Sequence, residues 1–85
     1  MTDTEIALLA AHRSPLVPLA DICDQYFGCG ITEARRKAGL NLLPVPTWRL
    51  IDSQKAPYMV RLSDLALFID EGADKARAAW LNSQT

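Results

Sequence analysis

Three consecutive basic residues, Arg35, Arg36 and Lys37, have the clearest chemistry in this 85-residue sequence. The flat, two-pronged guanidinium of arginine matches the O6 and N7 acceptors of guanine, so Arg35 or Arg36 is expected to read a base. Lysine is better suited to a phosphate contact. Adjacent helical residues point about 100° apart, so the three cannot share one groove. We expect one arginine to enter a DNA groove and its neighbour to contact the DNA backbone. The alternative is that these residues lie on an ordinary solvated surface helix.

These residues fall in a short predicted helix over residues 33–38, which Gly39 ends. Thr32 is predicted to be its N-cap, and Glu33 opens its first turn. Free N–H groups and a partial positive charge at a helix N-terminus suit a phosphate contact, so both residues are included in the predicted binding site. Ala34 and Ala38 are predicted to form its inward face.

A second polar cluster, Ser53, Gln54 and Lys55, lies at the tip of a predicted β-hairpin. Such a tip suits grazing contacts to phosphates or entry into a minor groove. Arg49 and Arg61 are predicted to point outward and to flank the tip. An ordinary hydrophilic hairpin loop is the alternative.

Two aromatic residues, Trp48 and Tyr58, are predicted to face each other across this hairpin. Trp48 lies in phase with Leu50 on one side of the first strand, which favours packing in the core. Stacking on unpaired bases, as in single-strand binders, is the less favoured interpretation.

Charge is unevenly distributed along the chain, although its net value is only −1. Residues 31–61 hold six basic and two acidic side chains, whereas residues 1–30 and 62–85 together hold three basic and eight acidic ones. If the basic middle folds onto one face, that face attracts polyanions and the acidic remainder orients the encounter.

The sequence gives little support for catalysis or for metal binding. His12, Ser14 and Asp21 supply the residue types of a catalytic triad, but no nucleophile elbow or oxyanion loop accompanies them. One histidine and two cysteines, Cys23 and Cys29, cannot supply four ligands for zinc. Cys23 lies on an apolar helical stripe and is predicted to be a core residue. We therefore predict no enzyme, no metal or cofactor, and no small-molecule substrate.

The remaining patterns supply the elements that must position these side chains. They predict a mainly helical α+β fold, with residues 1–85 forming a single winged helix-turn-helix domain. Thr2 and Glu5 have capping-box spacing, Gly28 is a predicted left-handed helix end, and Ser63 with Asp64 is predicted to cap the last helix. The predicted parts are an N-terminal helix (1–13), a helix-turn-helix (17–39), a wing hairpin (46–62) and a C-terminal helix (63–80).

Several runs resemble the pyocin activator protein family: DSQKAPY at 52–58, VRLSDLA at 60–66, FID at 68–70, VPL at 17–19 and YF at 26–27. The resemblance covers about residues 5–71. It implies a small bacterial or prophage-borne transcription regulator that binds promoter DNA, and hence double-stranded DNA as partner. The layout is also similar to excisionase-type and MerR-type winged helices, whose second helix enters the major groove while the wing touches backbone or minor groove. The acidic net charge and the alanine-rich tail after Asp70 depart from the family pattern.

Two alternatives to a transcription activator stay open. An excisionase-like factor would bend DNA for a prophage integrase, and the positions of its bound sites would distinguish it. A protein-interaction adaptor would bind no DNA and would show no salt-dependent affinity for any duplex.

The two end helices are expected to mediate assembly. The first is apolar on most sides, and the last presents Gly72, Ala73, Ala76 and Ala79 before Trp80. A homodimer would cover these surfaces and set two recognition helices about one DNA turn apart. The alternative is that the helices pack on each other within one chain.

The acidic ends are a possible contact for RNA polymerase. No apolar run approaches the roughly 20 residues that span a bilayer, and no basic-then-apolar signal follows Met1. We therefore expect a cytoplasmic protein without a membrane partner.

Overall fold

Seven elements follow one another along residues 1–84, which the computed structural model describes. In chain order they are α1 (Asp3–His12), β1 (Leu16–Pro18), α2 (Leu19–Phe27), α3 (Ile31–Gly39), β2 (Trp48–Arg49), β3 (Tyr58–Arg61) and α4 (Leu62–Ser83). The predicted mainly helical α+β class is confirmed, and the elements follow the order expected of a winged helix-turn-helix. None of the described helices is long and apolar enough to cross a membrane.

The ends of α1 and α2 follow from their local sequences. Thr2 caps α1 as predicted, because its Oγ1 accepts a hydrogen bond from the backbone N–H of Glu5 at 3.1 Å. Just before the predicted stop at Ser14, Arg13 ends the helix in the left-handed conformation, with φ 58°. Gly28 ends α2 with φ 67°, a conformation that glycine adopts without a steric penalty and that the sequence predicts.

Two helices begin earlier than the sequence predicts. The N-cap of α3 is Gly30, so Thr32 lies inside the first turn and the prediction that it caps the helix is wrong. α4 begins at Leu62, so the predicted cap at Ser63 is wrong as well. No described side chain caps either helix. Each instead starts with an apolar residue, Ile31 or Leu62, that packs in or against the core. Burying such a side chain is worth about 1.5–3 kcal/mol, against about 1 kcal/mol for a side-chain cap.

The central strand of the sheet is β3, which pairs antiparallel with β1 on one side and β2 on the other. In the β2–β3 register Trp48 is opposite Met59, and Arg49 is opposite Tyr58. The prediction that Trp48 and Tyr58 face each other is therefore wrong by one residue. Because successive strand residues point to opposite faces, these two aromatic side chains leave the hairpin on different sides.

The core lies where α2, α3, the sheet and the start of α4 meet. Ala34 and Ala38 are buried on the inward face of α3, and Cys23 is buried in α2, all as predicted. Since alanine adds little bulk, α3 lies close to α2 and leaves its remaining sides free. The largest fully buried side chains are Leu19, Ile22, Val60, Leu62 and Leu65.

Within the same chain, α1 packs against the first part of α4. Thr4 Oγ1 donates a hydrogen bond to Asp70 Oδ1 at 2.6 Å. The rings of Phe27 and Phe68 meet edge-on, with centroids 5.6 Å apart, and tie α2 to the same stretch of α4.

Candidate nucleic-acid interface

A groove of about 340 Å³ separates α3 from the hairpin of residues 48–61, called the wing below. Its lining comprises Arg35 from α3 and Arg49, Gln54, Lys55, Ala56, Pro57 and Tyr58 from the wing. Four of the predicted binding residues therefore meet here, although 14 positions separate Arg35 from Arg49 in the sequence. Three of the described lining residues are cations and none is acidic, so the groove is suited to an anionic ligand.

Two contacts hold Arg49 in this groove. Its Nε donates a hydrogen bond to the carbonyl oxygen of Ala56 at 3.1 Å. Its guanidinium carbon lies 4.2 Å from the centroid of the Tyr58 ring, a cation–π contact. The side chain is therefore positioned before any ligand arrives, while the rest of its donors stay available.

The side chain of Tyr58 also connects the wing to α3. A Cβ placed at Gly39, the last residue of α3, would lie 3.6 Å from the Tyr58 hydroxyl oxygen. The same ring thus contacts Arg49 in the wing and lies beside the end of α3.

The three basic residues of α3 point in three different directions because the helix rotates by about 100° per residue. Because Ala34 and Ala38 face the core, about 100° of rotation per residue points Arg36 away from it. Arg35 and Lys37 then lie on opposite edges of the helix, and the edge of Arg35 is the one that faces the wing. Thr32 is exposed on the outward side, one turn before Arg36. The expectation that the two arginines point differently agrees with this geometry.

Arg36 and Glu33 form an ion pair on the outward side of α3. Arg36 Nε donates to Glu33 Oε2 at 3.1 Å, and Arg36 Nη2 donates to Glu33 Oε1. The hydrogen bond from Arg36 lowers the pKa of Glu33, with help from the charges of Arg36 and Lys37. The hydrogen bond to Glu33 correspondingly raises the pKa of Arg36. The pair presents a donor and an acceptor side by side, on the side of α3 that points to solvent.

The wing tip is an ordered turn. Ser53 Oγ accepts a hydrogen bond from the backbone N–H of Lys55 at 3.2 Å, and the carbonyl of Ser53 accepts one from Ala56 at 3.1 Å. Ser53 therefore shapes the tip, while the exposed side chains of Gln54 and Lys55 line the groove.

Arg61 does not flank the wing tip, and this prediction is wrong. It is the last residue of β3, opposite Leu16 of β1, and β3 rises about 3.3 Å per residue away from Tyr58. It lines a separate cavity of about 150 Å³ with Met1 and Glu5. Strand alternation correctly indicates that Arg61 is exposed but carries no information about which end of the sheet it occupies.

Two apolar residues that directly follow the groove residue Arg49 are exposed, which the alternating sequence pattern does not indicate. Leu50 and Ile51 follow Arg49 in the wing and are 62% and 69% exposed. Leu50 was expected to share a buried side with Trp48, but Trp48 is opposite Met59, on the face of the sheet away from the buried Val60, and β2 ends at Arg49. The available signal was the lack of a polar residue at 51, where alternation on a half-buried strand requires one.

Comparison with known proteins agrees with the residues quoted for the resemblance. Neither the curated proteins nor the solved structures include a match to this chain. Residues 4–76 match the sequence model of a family described as pyocin activator protein PrtN. The matched segment runs from α1 through the wing and ends inside α4. Since it covers most of the sequence, the chain belongs to the pyocin activator protein family.

Proposed function

We propose that this chain is a transcription regulator that binds a specific double-stranded DNA site and activates pyocin or prophage genes. Membership in a family described as a pyocin activator supports the regulatory role. The observation that carries DNA binding is the groove between α3 and the wing, which is lined by Arg35, Arg49 and Lys55. A groove with cations on both walls fits a phosphodiester strand passing between helix and wing.

Each side chain then has a distinct role. Thr32, Glu33 and Arg36 lie on or beside the outward side of α3, which enters the major groove. There Arg36 donates to a guanine edge, and Glu33 either holds it or accepts from a neighbouring cytosine amine. Arg35 contacts the strand in the groove, and Lys37 on the other edge contacts phosphate across the major groove.

The wing residues hold the strand from the other side. Arg49, already positioned by Tyr58, and Lys55 at the tip contact phosphate or enter the minor groove. Gln54 adds a neutral donor and acceptor, and Ser53 keeps the turn in shape. Arg61, at the far end of β3, has no part in this arrangement.

Separate replacement of Arg35 and Arg36 by alanine tests the proposed DNA binding. The site is first selected from genome fragments, and binding of each variant is then measured on that site and on random duplex at several salt concentrations. Arg36→Ala is expected to cost about 1–3 kcal/mol on the selected site and little on random duplex. Arg35→Ala is expected to weaken both equally and to lower the salt slope by about 1. Equal behaviour of the two variants would contradict the division of roles.

Lys55→Ala supplies the same test for the wing. It is expected to lower the salt slope by about 1, whereas Lys75→Ala, on the far part of α4, leaves the slope unchanged. If the unmodified chain retains no duplex even at low salt, the adaptor interpretation replaces DNA binding altogether.

One observation favours a second candidate, the excisionase-like bending of DNA. Leu50 and Ile51 are exposed apolar side chains that directly follow Arg49 of the cationic groove, and apolar wedges in a minor groove unstack base steps and kink the duplex. Replacing both by serine then removes a bend measured by energy transfer between duplex ends, while Leu81→Ser, which is 51% exposed and lies on the far part of α4, leaves it. An unbent duplex with the native chain excludes this candidate.

A further inference from the structure

The second half of α4 extends away from the rest of the molecule. Every described residue from Glu71 onward is exposed, including Trp80 at 61%. The packed part of the helix ends near Asp70, where Thr4 donates its hydrogen bond. The molecule measures 53 × 26 × 16 Å, and its radius of gyration is 14.6 Å, against about 12 Å for a compact chain of this length.

The solvent-accessible surface area of the chain shows how much more surface it exposes than a compact monomer does. The chain exposes 6076 Å², whereas a compact monomer of this mass exposes about 5,000 Å². The excess of about 1,000 Å² is close to the roughly 800 Å² that each partner buries in a stable protein–protein interface. The extended helix therefore leaves uncovered about as much surface as one partner would bury.

The exposed helix carries a seam with the spacing of a two-helix interface. Ile69, Ala73, Ala76 and Trp80 recur at alternating intervals of four and three residues, which places them along one side. Ile69, at the end of the packed part of α4, is already partly buried against the core, whereas the other three are exposed. Gly72 borders this seam, and a Cβ added there would meet nothing within 4 Å. The small residues in the middle of the seam, Ala73 and Ala76, allow a second helix to approach closely, and Trp80 supplies the large apolar contact.

We propose that a second copy of this chain covers this seam, with the two α4 helices antiparallel. The part of Ile69 that the core leaves exposed then packs against the partner's Trp80, and Ala73 packs against the partner's Ala76. On one edge of the interface Asp70 faces the partner's Arg77, and two-fold symmetry makes this opposite-charge pair twice.

A parallel pair of α4 helices lacks the charge pair between Asp70 and the partner's Arg77. In a parallel pair Arg77 faces the partner's Gly72 and gains no counter-charge, and the two Trp80 rings occupy the same layer. Residues 71–83 hold two acidic and two basic side chains, so the segment is neutral and does not repel a copy of itself. This neutral segment therefore offers no complementary net charge to a strongly charged partner.

The dimer does not depend on DNA binding, but its consequence for DNA rests on the proposed function. An antiparallel pair has a two-fold axis, which relates the two copies of α3. The selected duplex site is then expected to contain two inverted half-sites.

Sedimentation equilibrium of the full chain without DNA tests the dimer. The native chain is expected to reach the dimer mass as its micromolar concentration rises. Ala76→Glu, on the seam, is expected to stay monomeric, whereas Ala78→Glu, the same change on the opposite side of the helix, keeps the dimer. A native chain that is monomeric throughout, or equal behaviour of the two variants, overturns the proposal. Because Ala76→Glu lies far from α3, its binding to a single half-site is a separate readout of the proposed function.

Cross-linking tests the direction of the helices. Ala73→Cys and Ala76→Cys are made separately in chains whose native cysteines are replaced by alanine. A disulfide forms only between cysteines whose Cα atoms come within about 7 Å. The antiparallel register predicts a cross-linked dimer when the two variants are mixed and much less with either alone. Efficient cross-linking of each variant with itself overturns the antiparallel arrangement.

Discussion

Arg49 lies over the ring of Tyr58, with its guanidinium carbon 4.2 Å from the ring centroid. The contact follows from the strand register, which sets these two residues opposite each other in β2 and β3. It fixes a cation in the wall of the groove, and the same tyrosine lies beside the last residue of α3. A single aromatic side chain thus positions a positive charge and lies between the wing and the end of α3.

Removing the ring is therefore expected to weaken duplex binding. A cation–π contact that is not fully desolvated is worth about 0.5–1 kcal/mol, so Tyr58→Leu is expected to reduce affinity about two- to fivefold if the ordering of Arg49 is lost. Tyr58→Phe keeps the ring and is expected to bind like the native chain. Fluorescence anisotropy with a labelled duplex measures both variants, and equal losses would mean that the hydroxyl, not the ring, is the important group.

The register that creates this contact could not be read from the sequence. Alternation in residues 46–50 correctly predicts a strand, but the wing holds eight residues between Arg49 and Tyr58, and a shift of one changes which side chains meet. The prediction that Leu50 is buried is wrong for a related reason, because an alternating pattern does not show which face of a strand packs against the core. Such details depend on tertiary packing rather than on local propensity.

Backbone-determined features were predictable. Gly28 was identified as a left-handed helix end, and Ala34 with Ala38 as the inward face of α3, because conformation and bulk dictate both locally. The meeting of Arg35 with Arg49 in one groove required the fold. The sequence indicated only that both were basic and lay in neighbouring elements.

Alanine substitutions at Gly28 and Gly30 test whether backbone conformation determines where glycine is required. At Gly28 φ is +67°, so Gly28→Ala is expected to destabilise the chain by about 1–2 kcal/mol. At Gly30 φ is −72° and an added Cβ meets nothing within 4 Å, so Gly30→Ala is expected to change stability by less than about 0.5 kcal/mol. Urea unfolding measures both. A larger loss at Gly30 than at Gly28 would contradict the assigned backbone conformations.

The Glu33–Arg36 pair predicts a pH-dependent signal. Arg36 lowers the pKa of Glu33 in the folded chain, so the stabilisation from this pair is present above the ordinary glutamate pKa and is lost as pH falls through the lowered value. A carbon-detected NMR titration is expected to give Glu33 a pKa below its ordinary value. Arg36→Gln is expected to return it towards that value, and Arg35→Gln to leave it lowered. An unchanged titration in Arg36→Gln would show that the pair does not persist in solution.

Thr2, which precedes α1, and Thr32, in the first turn of α3, distinguish a true N-cap from a residue that only resembles one. Thr2 Oγ1 accepts the N–H of Glu5, whereas Thr32 lies one residue inside α3, whose cap is Gly30. Thr2→Ala is therefore expected to cost about 1 kcal/mol in urea unfolding, because it leaves a helix N–H without its partner. Thr32→Ala is expected to leave stability within about 0.5 kcal/mol of native, since surface changes away from caps have small effects. If Thr32→Ala proves as destabilising as Thr2→Ala, α3 begins later than Ile31 and the outward direction of Arg36 must be reassigned.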